Sequence, residues 1–182
     1  LEAFHIKYPG IKVTVTNAPT PETLKCLYEG RIDFGVVSAP FYARPDIRIR
    51  EVKEIKDVFI AGSRFKNLKG KVLEFSDLEQ LPIICLERNT STRMYIDGIM
   101  ENNGVMLKPE FELATSDMIV QFTLRNLGIG SVVRDFAEKY LASGELFELN
   151  FRKPIPSRQL CVITSDKNPI STAARELLNM ME

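Results

Sequence analysis

Short apolar runs alternate with capped, amphipathic stretches along the whole chain, and this alternation restricts the fold more than any other feature. The runs "FGVV", "IICL", "EFELA", "IGSVV", "ELFELNF" and "QLCVIT" read as strands, and "DIRIREVKEIKDVFIAG" supplies two more, at about 47–53 and 57–61. Between them lie helical stretches with recognisable ends. Leu1–Lys7 is stopped by Tyr8-Pro9-Gly10. Thr20 and Pro21 open a helix that Gly30 closes. Ser76-Asp77-Leu78-Glu79 has capping-box spacing and predicts a short helical turn before Pro82. A helix from about Thr92 to Asn103 ends at Gly104, "TSDMIVQFTLRNLG" forms another with Met118, Ile119, Phe122 and Leu127 facing inward, and "DFAEKYLASG" and "STAARELLNMME" complete the set. "IKVTVTN" alternates as a half-exposed strand, and with "FGVV" it predicts a parallel β–helix–β unit. "SRFKNLKGKV" reads as a solvated loop. The pattern is that of an α/β protein.

The 182 residues suffice for one domain or two small lobes, and 45% of them are hydrophobic, enough for a packed core. No apolar run approaches the roughly 20 residues that span a membrane, and no charged-then-apolar leader opens the chain. Lys+Arg and Asp+Glu balance at 24 each, which argues against this segment binding nucleic acid by itself. Cys26, Cys85 and Cys161 are odd in number, far apart and set among apolar residues. They read as free thiols of a reducing, cytoplasmic compartment.

Much chemistry is missing. There is no P-loop, no GxGxxG fingerprint, no HExxH and no CxxC; "GIG" at Gly128–Gly130 is too short and follows a helix rather than a strand. His5 is the lone histidine and suits a helix C-terminus. Cys85, ending an apolar strand before a polar cluster, is a conceivable nucleophile, but a buried cysteine is more often a small hydrophobe. No catalytic set, metal site or cofactor is expected.

What the chain does have is two helix starts rich in hydroxyls, Thr90-Ser91-Thr92 and Thr115-Ser116, each after a strand. In open α/β sheets ligands sit at the carboxyl ends of strands, where helix N-termini present free N–H groups and a positive dipole end. Such a place suits an anion. Arg93 opposes the dipole preference there, which fits a bound negative group or a side chain turned to solvent. Ser and Thr are also ordinary N-caps, and one hydroxyl would satisfy each helix. Both readings stand for each cluster.

The order of "FHIKYPGIKVTV", "TLKCLYEGRIDFGVV", "DLEQLPIIC" with "STR", "QFTLRNLGIGSVV", "PIPSRQLCVIT" and the final "STAARELL" resembles the effector-binding domain of LysR-type transcriptional regulators over nearly the whole chain. The resemblance implies a two-lobed fold like type 2 periplasmic binding proteins, with two crossover strands and a ligand cleft between lobes. Lobe I would hold residues 1–60 and 134–182, and lobe II residues 61–133. It further implies a small, probably anionic, metabolite as effector. Ser38, Cys85, Thr90, Ser91, Thr92, Arg93, Thr115 and Ser116 would line the cleft. Homodimers would form through Pro21–Glu29 and Ile11–Asn17, tetramers in the full-length protein. Promoter DNA would be bound by a separate N-terminal winged helix-turn-helix absent from this chain. Similar domains begin with a strand and a ligand loop before the helix equivalent to Leu1–Lys7, so lobe I is expected to lack its first strand. Two other classes compete: a transporter's solute-binding protein of the same fold, which needs export, and an enzyme on that fold, which needs an acid–base or nucleophilic set.

Overall fold

A computed structural model describes residues 1–181. The chain divides into two compact units, Ile55–Arg158 and, on either side of it, Leu1–Glu54 with the chain from Gln159 onward. These boundaries differ from those expected, 60/61 and 133/134, because sheet membership decides them. Strand β3 (Asp57–Ala61) pairs antiparallel with β7 (Ile129–Val133) and with β8 (Phe147–Glu148), so all three belong to one body.

The flanking unit carries a three-stranded sheet in which β10 (Arg158–Ser165) lies between β1 (Gly35–Ser38) and β2 (Ile47–Ile55). Leu24 and Leu27 of α2 (Thr20–Tyr28) pack with Val37, Ile47, Cys161 and Ile163 in its core. Near the start, α1 (Glu2–Lys7) buries Phe4, and the Tyr8 hydroxyl donates to Glu176 Oε2 of α6 (Thr172–Asn179) at 3.1 Å. The expected strand over residues 11–17 is not formed: the segment has no ladder and is mostly exposed. The expected parallel β–helix–β unit therefore fails too, and β1 instead runs antiparallel to β10, with Val36 opposite Val162.

The Ile55–Arg158 unit is built on a five-stranded sheet of order β6-β5-β7-β3-β8, with β5 (Ile83–Leu86) parallel to both β6 (Phe111–Leu113) and β7. Side chains alternate along a strand, and here both faces are covered. Ile83 and Cys85 join Phe59, Ile129 and the Ile96 and Met100 of α3 (Ser91–Asn102). Ile84 and Leu86 join Ile60, Val132, Ile119 and Val120 of α4 (Ser116–Leu124), and Ala137 of α5 (Arg134–Ser143). That double covering is why "IICL" and "IGSVV" are apolar without alternation; both strands are buried throughout.

Smaller differences have local causes. "SRFKNLKGKV" contains a 3-10 stretch, Ser63–Leu68, and the two-residue strand β4 (Val72–Leu73), parallel to β9 (Asn150–Phe151). The capping box lies two residues earlier than its spacing suggested, between Glu74 and Asp77, and opens the 3-10 turn Phe75–Gln80. Met118 and Leu127 are substantially exposed rather than inward, leaving Ile119, Val120 and Thr123 to bury α4. Glycine explains "GIG" without a phosphate. A Cβ at Gly128 would lie 2.6 Å from Pro82 O, and one at Gly130 2.4 Å from Thr123 Oγ1.

Candidate functional site

The parallel strands β5, β6 and β7 end on one edge of the sheet, and each is followed at that edge by a helix. Leu86 stands opposite Leu113, and just beyond it the Glu87 N–H donates to Leu113 O at 3.1 Å, tying the two strand ends together. The starts of α3 and α4 thus emerge from neighbouring strands. Asp57 reaches the same edge from the other direction, because antiparallel pairing sets it opposite Val133.

Each hydroxyl cluster supplies one cap. Thr90 Oγ1 accepts from the Arg93 N–H at 3.3 Å and donates to Glu87 O at 2.9 Å. Thr115 Oγ1 accepts from the Met118 N–H at 3.3 Å. Ser91, Thr92 and Ser116, half-buried in the two first turns, are additional to the caps. The two starts differ electrostatically. Asp117 supplies a negative charge to the first turn of α4, whereas the first turn of α3 holds no acid.

Arg93 explains its own awkward place in the helix. Its guanidinium is 3% exposed, bonds both carboxylate oxygens of Asp97 at 2.8 and 2.9 Å, donates to Leu86 O at 3.0 Å and lies 3.4 Å from Glu112. Burial works to lower its pKa, but the Asp97 hydrogen bond and the charges around it outweigh burial and the value is raised. The cation is answered by carboxylates of the protein. Through the bond to Leu86 O its guanidinium ties α3 to the end of β5, so it positions the first turn. Cys85 lies within the core at 1% exposure, and burial pushes its thiol up to about 12, which leaves no thiolate for nucleophilic chemistry at neutral pH. Thr90 through Arg93 and Thr115-Ser116 therefore gather at one edge, with Cys85 behind them in the sheet. Ser38, at the end of β1, belongs to the flanking unit.

Three residues not singled out in the sequence belong to this edge. Arg158 and Asp57, both almost wholly buried, form an ion pair through Nε and through Nη2 (2.9 Å to Oδ1). Arg158 Nη2 also donates to Thr92 Oγ1 at 2.7 Å. The Tyr95 ring lies 5.1 Å from the guanidinium carbon, and its hydroxyl donates to Pro156 O at 2.7 Å. Burial first, and then the Asp57 charge, hold the Tyr95 phenol above its ordinary value. Asp57 and Arg158 stand 101 residues apart, a pairing to which local spacing gives no clue. In the sequence Arg158 stands out as a lone charge opening an apolar strand, whereas Asp57 is one of a run of charges that includes Glu54 and Lys56. Among the described residues no three metal-ligating side chains gather, and no helix is long and apolar enough to cross a membrane.

An open sheet covered on both faces, with polar helix starts gathered at the carboxyl ends of its parallel strands, is the architecture of an α/β domain of the periplasmic-binding-protein-like type. The LysR substrate binding domain model matches residues 1–182, and the chain belongs to that family. Among its relatives, the HTH-type transcriptional regulator CbbR of Rhodospirillum rubrum is 26% identical over 176 residues, 95% of this chain and 58% of the regulator. The probable RuBisCO transcriptional regulator of Cyanidium caldarium is 26% identical over 167 residues, 89% of this chain and 53% of the regulator. The chain thus spans little more than half the length of these relatives. The Synechocystis PCC6803 CcmR regulatory domain in complex with 2-PG superposes with a TM-score of 0.86 at 22% identity, covering 99% of this chain and 86% of that one. The effector-binding domain of QuiR in complex with shikimate gives 0.81 at 15%, covering 99% and 85%. These likenesses establish the shared fold.

Proposed function

We propose that this domain is the ligand-sensing part of a DNA-binding transcription regulator and that its effector is a small anionic metabolite held at the carboxyl edge of the Ile55–Arg158 sheet. The observation that carries the reading is the pairing of two hydroxyl-rich helix starts on neighbouring parallel strands, with more hydroxyls than capping consumes. The first turn of α3, which lacks an acid, is the better seat for negative charge, and Ser91, Thr92 and Ser116 are the contacts. Each charge-assisted hydrogen bond there contributes about 1.5–3 kcal/mol. Arg93 orients the turn from beneath, and Cys85 packs the strand. The relatives are transcription regulators, and the domain is read as a sensor rather than an enzyme. In the longer protein a separate domain binds promoter DNA, the regulator acts in the cytoplasm, and this domain pairs as a homodimer that assembles into a tetramer.

The test is thermal denaturation of the purified domain with 2-PG, shikimate and inorganic phosphate, and with glycerol as an uncharged control. A matching anion at 100 times its dissociation constant adds about 2.7 kcal/mol of stability. Ser91→Ala weakens its binding about tenfold. Stabilisation by uncharged compounds alone, or an undiminished response in Ser91→Ala, would remove the anion site from α3.

A further inference from the structure

The buried charges behind the hydroxyl turn do more than hold the unit together. A threonine hydroxyl has one proton to give and two lone pairs to receive with. At Thr92 the oxygen receives the Arg158 Nη2–H at 2.7 Å. A guanidinium has no lone pair to offer in return, so the hydroxyl proton must turn away from Arg158. Among the described residues that proton meets no acceptor: the Arg158 bond is the hydrogen bond Thr92 makes. Arg158 in turn has little freedom. Its fork grips Asp57, its face lies on the Tyr95 ring, and Tyr95 is pinned by its own hydroxyl to Pro156 O. The pair carries no net charge, so it does not repel a ligand.

We propose that Arg158, fixed by Asp57 and Tyr95, is a positioning residue that forces the Thr92 hydroxyl to act as a donor, and so makes this turn selective for ligands that present an acceptor oxygen, a carboxylate or a phosphate. The inference rests on the anion-site reading above. It goes further by giving that site a polarity set from behind, and by giving an action on the ligand to a buried residue that need not touch it. A serine at position 92 keeps the same polarity. Valine, the same shape without the hydroxyl, removes it. Lysine at position 158 keeps the charge but cannot fork to Asp57 and reach Thr92 together.

The experiment titrates the intact domain with 2-PG, shikimate and inorganic phosphate by calorimetry. The wild-type protein binds at least one of them; binding to none sinks both the site and this polarity. For the probe that binds, Thr92→Ser stays within about threefold of wild type and Thr92→Val loses about tenfold or more. Arg158→Lys loses about as much, and the Thr92→Val/Arg158→Lys double variant is no worse than Thr92→Val alone, because the arginine works through the threonine. Should Arg158→Lys not fold, Tyr95→Leu loosens the guanidinium without removing its charge, and its loss must likewise vanish in the Thr92→Val background. Wild-type binding with an unchanged Thr92→Val, or losses that add across the two positions, overturns the proposal and leaves the anion site standing.

Discussion

At the scale of single residues, position in the fold decides what a reactive or charged group can do. Cys85 and Arg93 follow from the same strand end, yet one is silenced by burial and the other is kept charged within it. Burial raises the Cys85 thiol from 9.0 to about 12. A thiol raised in the folded state stabilises the fold fully below its unfolded pKa, and that contribution is lost as pH climbs through the folded value. The window is therefore alkaline, from about 9 to 12. We expect the fall in melting temperature between pH 9 and pH 11 to be shallower in Cys85→Ala than in wild type, since alanine has no proton to lose. Parallel slopes would show that the thiol is not held in its neutral form. Arg93 teaches the complementary lesson. A cation at a helix start reads in the sequence as a ligand signal, but Asp97, one turn on, and Glu112, on the next strand, supply the negative charge. The i,i+4 spacing of Arg93 and Asp97 was visible in the sequence; the Glu112 contact depends on β5 pairing with β6.

At the scale of elements, the helices and the buried strands were largely legible, because capping residues, glycine stops and unbroken apolar runs are local signals. β5 and β7 fall where "IICL" and "IGSVV" place them, and α3 is followed, past its cap Asn103, by Gly104, whose φ is 73°. What was not legible is pairing. The alternation of Ile11, Val13 and Val15 met the strand pattern, but a strand needs a neighbouring edge, and the segment has none. The same limit hid Asp57 and Arg158, which meet only when the first strand and the last residue of their unit are brought together. The "GIG" segment shows pairing and packing at their tightest. Gly130 lets α4 press on β7, since a methyl group there would strike Thr123 Oγ1 at 2.4 Å and Ile119 Cγ2 at 2.8 Å. Thr123 Oγ1 is already committed to Ile119 O at 2.8 Å. Gly130→Ala must push α4 outward, and overpacking of this kind costs about 1–3 kcal/mol. Urea denaturation should show a lower midpoint of that size, and because α4 carries Thr115 and Ser116, the anion response should weaken with it. A variant as stable as wild type would mean that α4 has room to spare.

At the scale of the whole molecule, the zero net charge and the segment 11–17 bear on assembly. Lys+Arg and Asp+Glu balance at 24 each, which argues against this segment holding a duplex by itself, so DNA contact in the proposed regulator falls to another domain. The segment 11–17 carries Val13 and Val15, 41% and 72% exposed, with alternating threonines and no ladder of its own. A partly apolar, exposed run with no ladder of its own invites pairing with another chain, and α2 begins three residues after it. Symmetric homodimers are the commonest way for such a surface to be closed, with the same patch used on both copies. We expect light scattering to give a dimer mass at tens of micromolar. Val15→Glu, placing a charge in the middle of the run, should shift the mass toward the monomer without lowering the melting temperature of the diluted protein, because Val15 contributes almost nothing to the core of its own chain. A wild-type monomer at that concentration, or a Val15→Glu variant that remains dimeric, would place the interface on another surface.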